Sequence, residues 1–343
     1  PSLDRFPEDF YPQEMEETQK NMLILNSEEI ARLVSRIELV AAVEEAFRLH
    51  ASGDFEMPVR AQVDYKGKTL LSMPCFTDEC FGAKLVSLVP ENPQRGLPAL
   101  FGIVVLNDGT TGKPLAIMNG ATITALRTAA VGSLSIQYLT GADVSHLGVI
   151  GAGVQGLSQT LFACSVRPFT DVHLYDRHEK ALHKLAEKLT AELPCVKVTI
   201  GKSALDVLHQ SEVIITATNT ERPLFPDDRS LFKNRHFVGI GSYKPAMREY
   251  PEALFRNLNY VLIDTDHALR ETGDVITPLE NGWISEKQII PFDRVVTGKF
   301  VVVANEYNVT FFKSVGMALF DIVAAQWIYK KAREKGCGVE VDL

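Results

Sequence analysis

Cysteine is scarce in this sequence, and its spacing does not suit a cross-link. The five cysteines are an odd number, and no two of them form a C-x-x-C pair. A disulfide framework normally needs an even set, and a zinc ribbon needs paired thiols. Because free thiols are typical of a reducing compartment, we expect a cytoplasmic protein.

Basic runs and long apolar runs are missing as well. Lysine and arginine number 35 against 43 aspartates and glutamates, a formal net charge of -8. This acidic balance, with no run of cations, disfavours nucleic acid as a partner. No apolar stretch approaches the roughly 20 residues of a membrane-spanning helix, so we expect no membrane partner. Residues 1–20 are polar and contain prolines, which predicts an extended or loosely held arm rather than a signal peptide.

Patterns for metal binding and for nucleophilic catalysis are also lacking. His173, His178 and His183 follow one another at five-residue steps. Neither a helix nor a strand brings that spacing to one face. Serine-hydrolase and kinase signatures are not found. We therefore expect no bound metal.

What the sequence does contain is a strand, a glycine turn and a helix in immediate succession. The apolar run 144–150 leads directly into the G-x-G-x-x-G pattern of Gly151, Gly153 and Gly156. In a dinucleotide site the first glycine allows a tight turn, the second lets the pyrophosphate approach, and the third lets helix and strand pack closely. A helix beginning near Val154 would direct its free N–H groups and positive end at the phosphates.

A second predicted strand, 172–175, ends in an acid. Asp176 follows Gly151 by 25 positions, close to the separation of about 20 at which an acid binds the adenosine ribose, which favours NAD. Arg177 comes next, and its guanidinium could accept the 2'-phosphate of NADP instead. The sequence thus predicts a nicotinamide dinucleotide and leaves NAD and NADP open. An ordinary solvated position for Arg177 stays open too.

The order of the predicted elements indicates an α/β protein with two domains. Residues 58–118 alternate polar and apolar side chains between turns, which predicts a mainly antiparallel sheet. After Gly151, strands and helices alternate, which predicts a Rossmann-type doubly wound parallel sheet. We assign residues 1–140 and 312–343 to a smaller α+β domain for substrate binding and dimerisation, and residues 141–311 to the dinucleotide-binding domain.

Three predicted helices lie outside the nucleotide fold. One runs to about residue 50 from the capping residue Asn26, and its apolar residues recur at helical spacing from Ile30 onward. The second spans 121–139, and the third runs from 314 to about 335. Because the third falls outside the alternation of strands and helices, we expect it to pack on the first domain.

Three cations stand in segments that are otherwise apolar or alternating: Arg60, Lys84 and Arg127. Lys84 is the only charge in the predicted strand 81–89, and Arg127 is the only charge in the helix 121–139. A buried ammonium must find an anion or lose its proton. Around one pocket, the three cations would suit the carboxylate of an amino or imino acid. The alternative is that each one faces solvent or is paired within the protein.

Several short motifs follow one another along the chain: Met57-Pro-Val-Arg60, Met73-Pro74, Gly82-Ala-Lys84, Gly96-Leu-Pro98, Thr124-Ala-Leu-Arg-Thr-Ala-Ala130, Gly151-Ala-Gly-Val-Gln155, Gly239-Ile-Gly-Ser242 with Pro245 and Glu249, and Lys313-Ser-Val-Gly316. With these motifs in this order, the sequence from about Met22 to Lys330 resembles the ornithine cyclodeaminase and mu-crystallin family. The resemblance implies a homodimer and an architecture like the one predicted above.

The resemblance also implies roles for individual residues. The substrate carboxylate would be held by Arg60, Lys84 and Arg127, of which Lys84 and Arg127 would also act in catalysis. Beyond what the resemblance implies, we expect Val315 to border the substrate and Tyr243 either to cap the substrate pocket or only to pack within its loop. Besides the glycine turn, the residues expected around the nucleotide are Val154, Gln155, Asp176, Thr218, Ser242 and Ser314.

Departures from the family pattern favour one activity within it. Cyclodeaminases carry a glutamate, an aspartate and a lysine at the positions of Leu71, Tyr243 and Met247. Cyclodeamination moves several protons and needs such acid–base groups, whereas reduction of a ready-made cyclic imine needs a protonated C=N bond, one hydride and a bound carboxylate.

We therefore predict an oxidoreductase of proline metabolism. It would use NADH or NADPH to reduce 1-pyrroline-2-carboxylate, 1-piperideine-2-carboxylate or both, giving L-proline or L-pipecolate. The alternatives are an ornithine cyclodeaminase, an alanine-type dehydrogenase, and an NADP-dependent binding protein like mu-crystallin.

Overall fold

The computed structural model describes residues 21–303 and 306–342. Its strands form two sheets, one mainly antiparallel and one parallel. The predicted arm, residues 1–20, lies outside the described residues. Within them, no helix is both long enough and apolar enough to cross a membrane.

The first sheet is mainly antiparallel, as predicted, and its described strands form a single parallel pair, Met22–Leu25 with Pro114–Asn119. Its order across the sheet is β16 (Val339–Val341), β1 (Met22–Leu25), β7 (Pro114–Asn119), β6 (Leu100–Asp108), β5 (Cys80–Leu88), β4 (Lys68–Thr77) and β2 (Phe55–Glu56), with β3 (Ala61–Tyr65) also paired to β4. Lys66 and Gly67 connect β3 to β4 with φ angles of 48° and 74°. Two residues with positive φ suit the tight turn of a hairpin.

Three helices cover one face of this sheet: α1 (Ser27–Leu33), α3 (Gly120–Leu139) and α11 (Ala318–Lys335). Helix α2 (Arg36–Ser52) packs on α3 and α11. The side chains of β5 that point toward them, including Lys84 and Val86, are buried. The predicted packing of the C-terminal helix on this part of the chain is confirmed, because α11 contacts α2, α3 and β5.

The single helix predicted up to about residue 50 is wrong, because the chain turns at Val34 and Ser35 and forms two helices there. The predicted cap is present, since the Asn26 side chain accepts from the N–H groups of Glu28 and Glu29 at 2.9 and 3.0 Å. The break shifts the phase of the apolar pattern. As a result Ile37, which a continuous helix would bury, is 62% exposed.

The second sheet is parallel throughout its described strands and confirms the Rossmann-type prediction. Its order is β10 (Lys197–Ile200), β9 (Asp171–Tyr175), β8 (His146–Ile150), β11 (Val213–Thr216), β12 (Arg235–Gly239), β15 (Val309–Lys313), β13 (Val261–Ile263) and β14 (Ile289–Pro291). The accompanying helices are α4 (Val154–Val166), α5 (Glu179–Glu192), α6 (Ala204–His209), α7 (Glu252–Phe255), α8 (Ala268–Glu271), α9 (Gly273–Glu280) and α10 (Asp293–Val296).

The sequence pattern did not reveal β15, and it placed the start of the last helix too early. α11 begins at Ala318 rather than at Ser314. The residues between β15 and α11 form a loop at the carboxyl edge of the parallel sheet, where β8, β9, β11 and β12 also end. The division into two domains stays a prediction, and its boundary between residues 311 and 312 falls inside β15.

Candidate active site

A cavity of about 510 Å³ opens at the carboxyl edge of the parallel sheet. It lies against the ends of β8, β9, β11 and β12. The predicted site residues that line it are Gly153, Gln155, Asp176, Arg177, Thr218 and Tyr243. This is where a doubly wound sheet binds a dinucleotide.

The three glycines of the turn meet different steric demands. A Cβ on Gly151, whose φ is 115°, would lie 2.5 Å from the carbonyl oxygen of Ala217, and a Cβ on Gly156 would lie 2.0 Å from that of Gly151. A Cβ on Gly153 would meet no atom within 4 Å. The outer two glycines are thus required by the fold itself, whereas the middle one keeps open space beside the cavity.

Helix α4 begins at Val154 without a side-chain cap, and Val154 is 70% exposed. Its first N–H groups therefore face the cavity edge unpaired by a capping side chain, as anion binding at a helix N-terminus requires. Asp176, the acid expected at the ribose, also stabilises the glycine turn. The Asp176 carboxylate accepts from the N–H of Ala152 and from that of His178, each at 2.7 Å.

Glu249, a buried residue for which the sequence predicted no role, hydrogen-bonds both the loop after β11 and the loop after β12. Glu249 accepts from the N–H and the hydroxyl of Thr218 at 2.8 and 2.7 Å, and from the N–H groups of Gly241 and Ser242 at 2.9 and 3.2 Å. The Ser242 side chain is buried and hydrogen-bonds Thr272 at 2.6 Å. Unlike Thr218, Ser242 is therefore not at the cavity surface, and its predicted place beside the nucleotide would involve its backbone.

Asp264 plays a similar part for the loop that follows β15. Its buried carboxylate accepts from the hydroxyl of Ser314 at 2.7 Å and from the N–H groups of Val315 and Gly316 at 3.1 and 2.7 Å. Ser314 and Val315 are thus held by this acid rather than directed into the large cavity. Asp264 could have been found from the sequence, because it is an acid that directly follows a buried strand, β13.

The loop after β15 meets the predicted cations. Arg60 donates to the carbonyl of Gly316 at 3.2 Å, and a Cβ on Gly316 would lie 2.6 Å from Nη1 of Arg127. Lys84 and Arg127 share one carboxylate, because Asp321 of α11 lies 2.7 Å from Nζ of Lys84 and 2.8 Å from Nε of Arg127. The structure therefore brings the three predicted cations together. We call these cations, with Asp321, the cation cluster.

The same cations also form ion pairs within the protein, which is the alternative that the sequence left open. Lys84, Arg127 and Asp321 are buried, and Arg60 pairs with Glu271 at 2.7 Å. Among the described residues the three cations have two carboxylates as direct partners, so Lys84 and Arg127 share the single negative charge of Asp321. Nη1 of Arg127 is buried and has no hydrogen-bond partner among the described residues.

The electrostatics of the cation cluster follow from burial and from these pairings. Burial lowers the pKa of Lys84 to about 8, against the opposing effect of Asp321, and the charges of Arg127 and Arg60 add to the lowering. Burial works against ionisation of Asp321, but Arg127 and Lys84 outweigh it and lower the pKa of that carboxyl. Burial raises the pKa of Glu271, although Arg60 opposes this.

Sequence reasoning missed both acidic partners of the cations. Asp321 is the only charge in the stretch 315–327, the same signal that singled out Lys84 and Arg127. Glu271 lies in a short polar helix, where an acid is ordinarily a solvated side chain. No local feature marks it.

The chain is similar to known proteins over nearly all its length. The model of the ornithine cyclodeaminase/mu-crystallin family matches residues 19–336. Delta(1)-pyrroline-2-carboxylate reductase of Bacillus cereus (strain ZK / E33L) is 30% identical over 330 residues, which cover 94% of this chain and 100% of the relative.

Solved structures agree with this match. The delta(1)-pyrroline-2-carboxylate reductase of Thermococcus litoralis, in complex with NADH and L-proline, has a TM-score of 0.87 and 32% identity, over 93% of this chain and 100% of that chain. An archaeal alanine dehydrogenase dimer with bound NAD has a TM-score of 0.85 and 27% identity, over 94% and 99%. The glycine turn, the cation motifs and the match over residues 19–336 together establish that this chain belongs to the ornithine cyclodeaminase/mu-crystallin family.

Proposed function

We propose that this protein reduces a cyclic ketimine carboxylate with a nicotinamide cofactor. The substrate would be 1-pyrroline-2-carboxylate, 1-piperideine-2-carboxylate or both, and the product L-proline or L-pipecolate. The observation that carries the proposal is a cluster of three cations, two of them buried, that have two direct carboxylate partners among the described residues and lie beside a cavity that suits a dinucleotide. Similarity to two pyrroline-2-carboxylate reductases supports it.

The extra positive charge suits the substrate carboxylate. The free Nη1 donor of Arg127 and the guanidinium of Arg60 converge on the loop at Gly316. A guanidinium binds a carboxylate through two parallel hydrogen bonds, and burial makes such bonds stronger than they are in water. The anion would take up the uncompensated charge of the cation cluster.

Lys84 is the proton donor in this proposal. With a pKa of about 8 its ammonium remains mostly charged at pH 7, yet it loses a proton more easily than an exposed lysine does. A general acid is most effective when its pKa lies near the working pH. Asp321 fixes the position of the ammonium, which would protonate the imine nitrogen.

When bound, the nicotinamide supplies a hydride to the imine carbon. The protein residues hold the two reactants against each other. The neighbouring strands β12 and β15 end at the cavity and at the cation cluster, respectively, and adjacent strands are only about 4.8 Å apart. The substrate would therefore lie between the cluster and the cavity.

We further infer that the cavity accepts NADH and NADPH. The Asp176 carboxylate keeps acceptor capacity for the ribose hydroxyls beyond its two backbone hydrogen bonds. Arg177 lines the same cavity, and its Nε lies 3.2 Å from Nε2 of His178. Its remaining N–H groups can bind the 2'-phosphate of NADPH.

A homodimer is also part of the proposal. The face of the first sheet that carries no helices exposes large apolar side chains: Val63, Tyr65, Leu70, Phe76, Phe101 and Ile103. Four residues on neighbouring strands pair in succession and form one row across the sheet: Val63, Leu70, Ser87 and Phe101. An exposed apolar patch of this kind marks an interaction surface. A second copy of the chain would cover it, and the related alanine dehydrogenase is a dimer.

A spectrophotometric panel tests the activity. The protein is mixed with NADH or NADPH and, in separate assays, each cyclic imino acid, ornithine with NAD, and pyruvate with ammonia. Oxidation of the cofactor with a cyclic imino acid is the expected result. Ammonia release from ornithine would favour cyclodeamination, turnover of pyruvate alone would favour an alanine dehydrogenase, and cofactor binding without turnover would favour a binding protein.

A further inference from the structure

Two histidines and an aspartate meet at the amino-terminal edge of the parallel sheet, the edge opposite the dinucleotide cavity. His146 is the first residue of β8, and Asp171, the first residue of β9, is its partner in the register. Side chains two apart on a strand point to the same face. His173 therefore joins the other two.

The potential ligand atoms of these three side chains all lie within 4.8 Å of one another. Nδ1 of His146 is 4.0 Å from the carboxylate of Asp171. The rings of His146 and His173 are nearly parallel, with centroids 5.9 Å apart and an interplanar angle of 14°. Imidazole and carboxylate groups are thus concentrated at one point.

His173 is buried, and the part of the chain that the structure describes offers its ring no hydrogen bond. It is 6% exposed, and neither of its ring nitrogens has a hydrogen-bond partner among the described residues. Nδ1 of His146 also lacks one. The equally buried His236 is different, since its nitrogens contact hydroxyls of Thr310 at 2.8 Å and Ser135 at 3.3 Å. Buried polar atoms are normally paired, so the nitrogens of His173 indicate a missing ligand.

We propose that His146, Asp171 and His173 bind one zinc ion. Two neutral imidazoles and one carboxylate are a common donor set for zinc, with a fourth position for water. Bonds of about 2.0–2.1 Å place the ligand atoms of a tetrahedral ion about 3.4 Å apart, so the ligand atoms, which now lie within 4.8 Å of one another, would move closer on binding. The site has access to solvent, because His146 is half-exposed and lines an open cavity of about 350 Å³.

The charge around the site permits a divalent cation. The Asp171 carboxylate would neutralise part of the charge of the ion. Lys197 and Asp206 have opposite electrostatic effects on His173, which offset each other in part. The ion would cross-link β8 and β9 where these strands begin. Because the dinucleotide cavity lies at the other edge, the ion would take no part in the hydride transfer.

The expectation of no metal came from spacing along the chain. His178 lines the dinucleotide cavity and His183 is exposed on α5, so neither joins His173. The partner that matters, His146, stands on the neighbouring strand. Only the pairing of β8 with β9 brings it close.

The experiment uses the full chain without a histidine tag, freed of metal with a chelator and then titrated with zinc chloride in a calorimeter. The expected result is one zinc ion per chain. His146→Gln and Asp171→Asn should each weaken this binding at least tenfold, while leaving the affinity for NADH unchanged. His183→Gln, a histidine change on the same domain, is the matched control and should bind zinc as the unaltered protein does.

Cobalt provides a second measurement that needs no variant. Cobalt bound to the unaltered chain should give the visible absorption bands of a low-coordinate nitrogen and oxygen site, without the sulfur charge-transfer band that a cysteine ligand produces. The proposal is overturned if the unaltered chain binds no zinc, if both variants bind it as tightly as the control, or if the cobalt spectrum shows sulfur ligation.

Discussion

Lys84 is the residue on which the proposed proton transfer depends. Because burial lowers its pKa to about 8, the ammonium is the main form below that pH and is lost above it. We expect kcat/KM for the cyclic imine to be level near pH 7 and to fall about tenfold per unit above pH 8. A profile of kcat/KM against pH, with cofactor affinity measured at each pH, checks this.

Two substitutions at Lys84 separate its proton from its charge. Lys84→Met should lower kcat/KM by about 10- to 100-fold, the equivalent of one charge-assisted hydrogen bond of about 1.5–3 kcal/mol. Lys84→Arg keeps the charge at high pH and should remove the alkaline fall while activity stays low. If Lys84→Met were folded and as active as the unaltered protein, Lys84 would not be the donor.

Asp321→Asn tests whether the Asp321 carboxylate helps to set the pKa of Lys84. Asp321 raises the pKa of Lys84, so its removal should move the alkaline fall to a lower pH. The variant should also be less stable by about 3–5 kcal/mol, since it leaves buried cations without their anion. Thermal unfolding measures the second effect. An unmoved pH profile would contradict the coupling.

Arg177 decides between the two cofactors in this account. Arg177→Ala removes a cation that NADPH needs for its 2'-phosphate and NADH does not. We expect kcat/KM for NADPH to fall about tenfold or more, as for the loss of a charge-assisted hydrogen bond, and kcat/KM for NADH to change little. Steady-state assays with each cofactor check this, and equal losses for both would contradict it.

Single residues also show how far sequence reasoning reaches. Lys84 and Arg127 could be found because a lone charge in an apolar segment must have a buried partner. The same reasoning applied to Asp321 would have identified that partner. Glu271 could not be found, because it is 211 residues from Arg60 and lies in a polar segment.

At the scale of elements, the glycine turn gives a matched pair of substitutions. A Cβ at position 153 meets nothing within 4 Å, whereas one at position 156 would lie 2.0 Å from a backbone oxygen. Gly153→Ala should leave the melting temperature without cofactor unchanged but weaken NADH binding, because the methyl group would enter the space of the pyrophosphate. Gly156→Ala should lower that melting temperature.

Thermal unfolding without cofactor and a fluorescence titration with NADH distinguish the two variants. The opposite pattern, with Gly153→Ala unstable and Gly156→Ala weak only in binding, would contradict the roles assigned to these glycines.

Most elements could be predicted because their periodicity is local. The hairpin of β3 and β4 and the amphipathic helix α5 each carry their own signal. The break between α1 and α2 could not, since Val34 and Ser35 are compatible with a continuous helix and packing decides the turn. β15 was missed because Val309–Lys313 is too short to show a decisive periodicity, and its pairing depends on β12 and β13, which are distant in the sequence.

At the scale of the whole molecule, the exposed row on the first sheet predicts the assembly. Val63→Asp together with Phe101→Asp would place charges within an apolar interface, where they cost more than any exposed position would. We expect the unaltered chain to be a dimer and the double variant a monomer, measured by light scattering after size-exclusion chromatography. A monomeric unaltered chain would contradict the proposed interface.

The sequence predicts more of the overall architecture than of the way the site is assembled. Alternation of strands and helices after Gly151 defines a doubly wound sheet by itself. The cation cluster instead joins β5, α3 and α11, which lie far apart in the sequence. Only the folded chain shows that Lys84 and Arg127 share the carboxylate of Asp321.

In the proposed reaction a hydride reaches the imine carbon of a cyclic substrate held by the cation cluster. Its most direct measurement is a reaction of 1-pyrroline-2-carboxylate with NADH deuterated at C4 on both faces, analysed by mass spectrometry and NMR. We expect L-proline with one deuterium, at the α-carbon. Unconsumed imine, or proline without that deuterium, would contradict it.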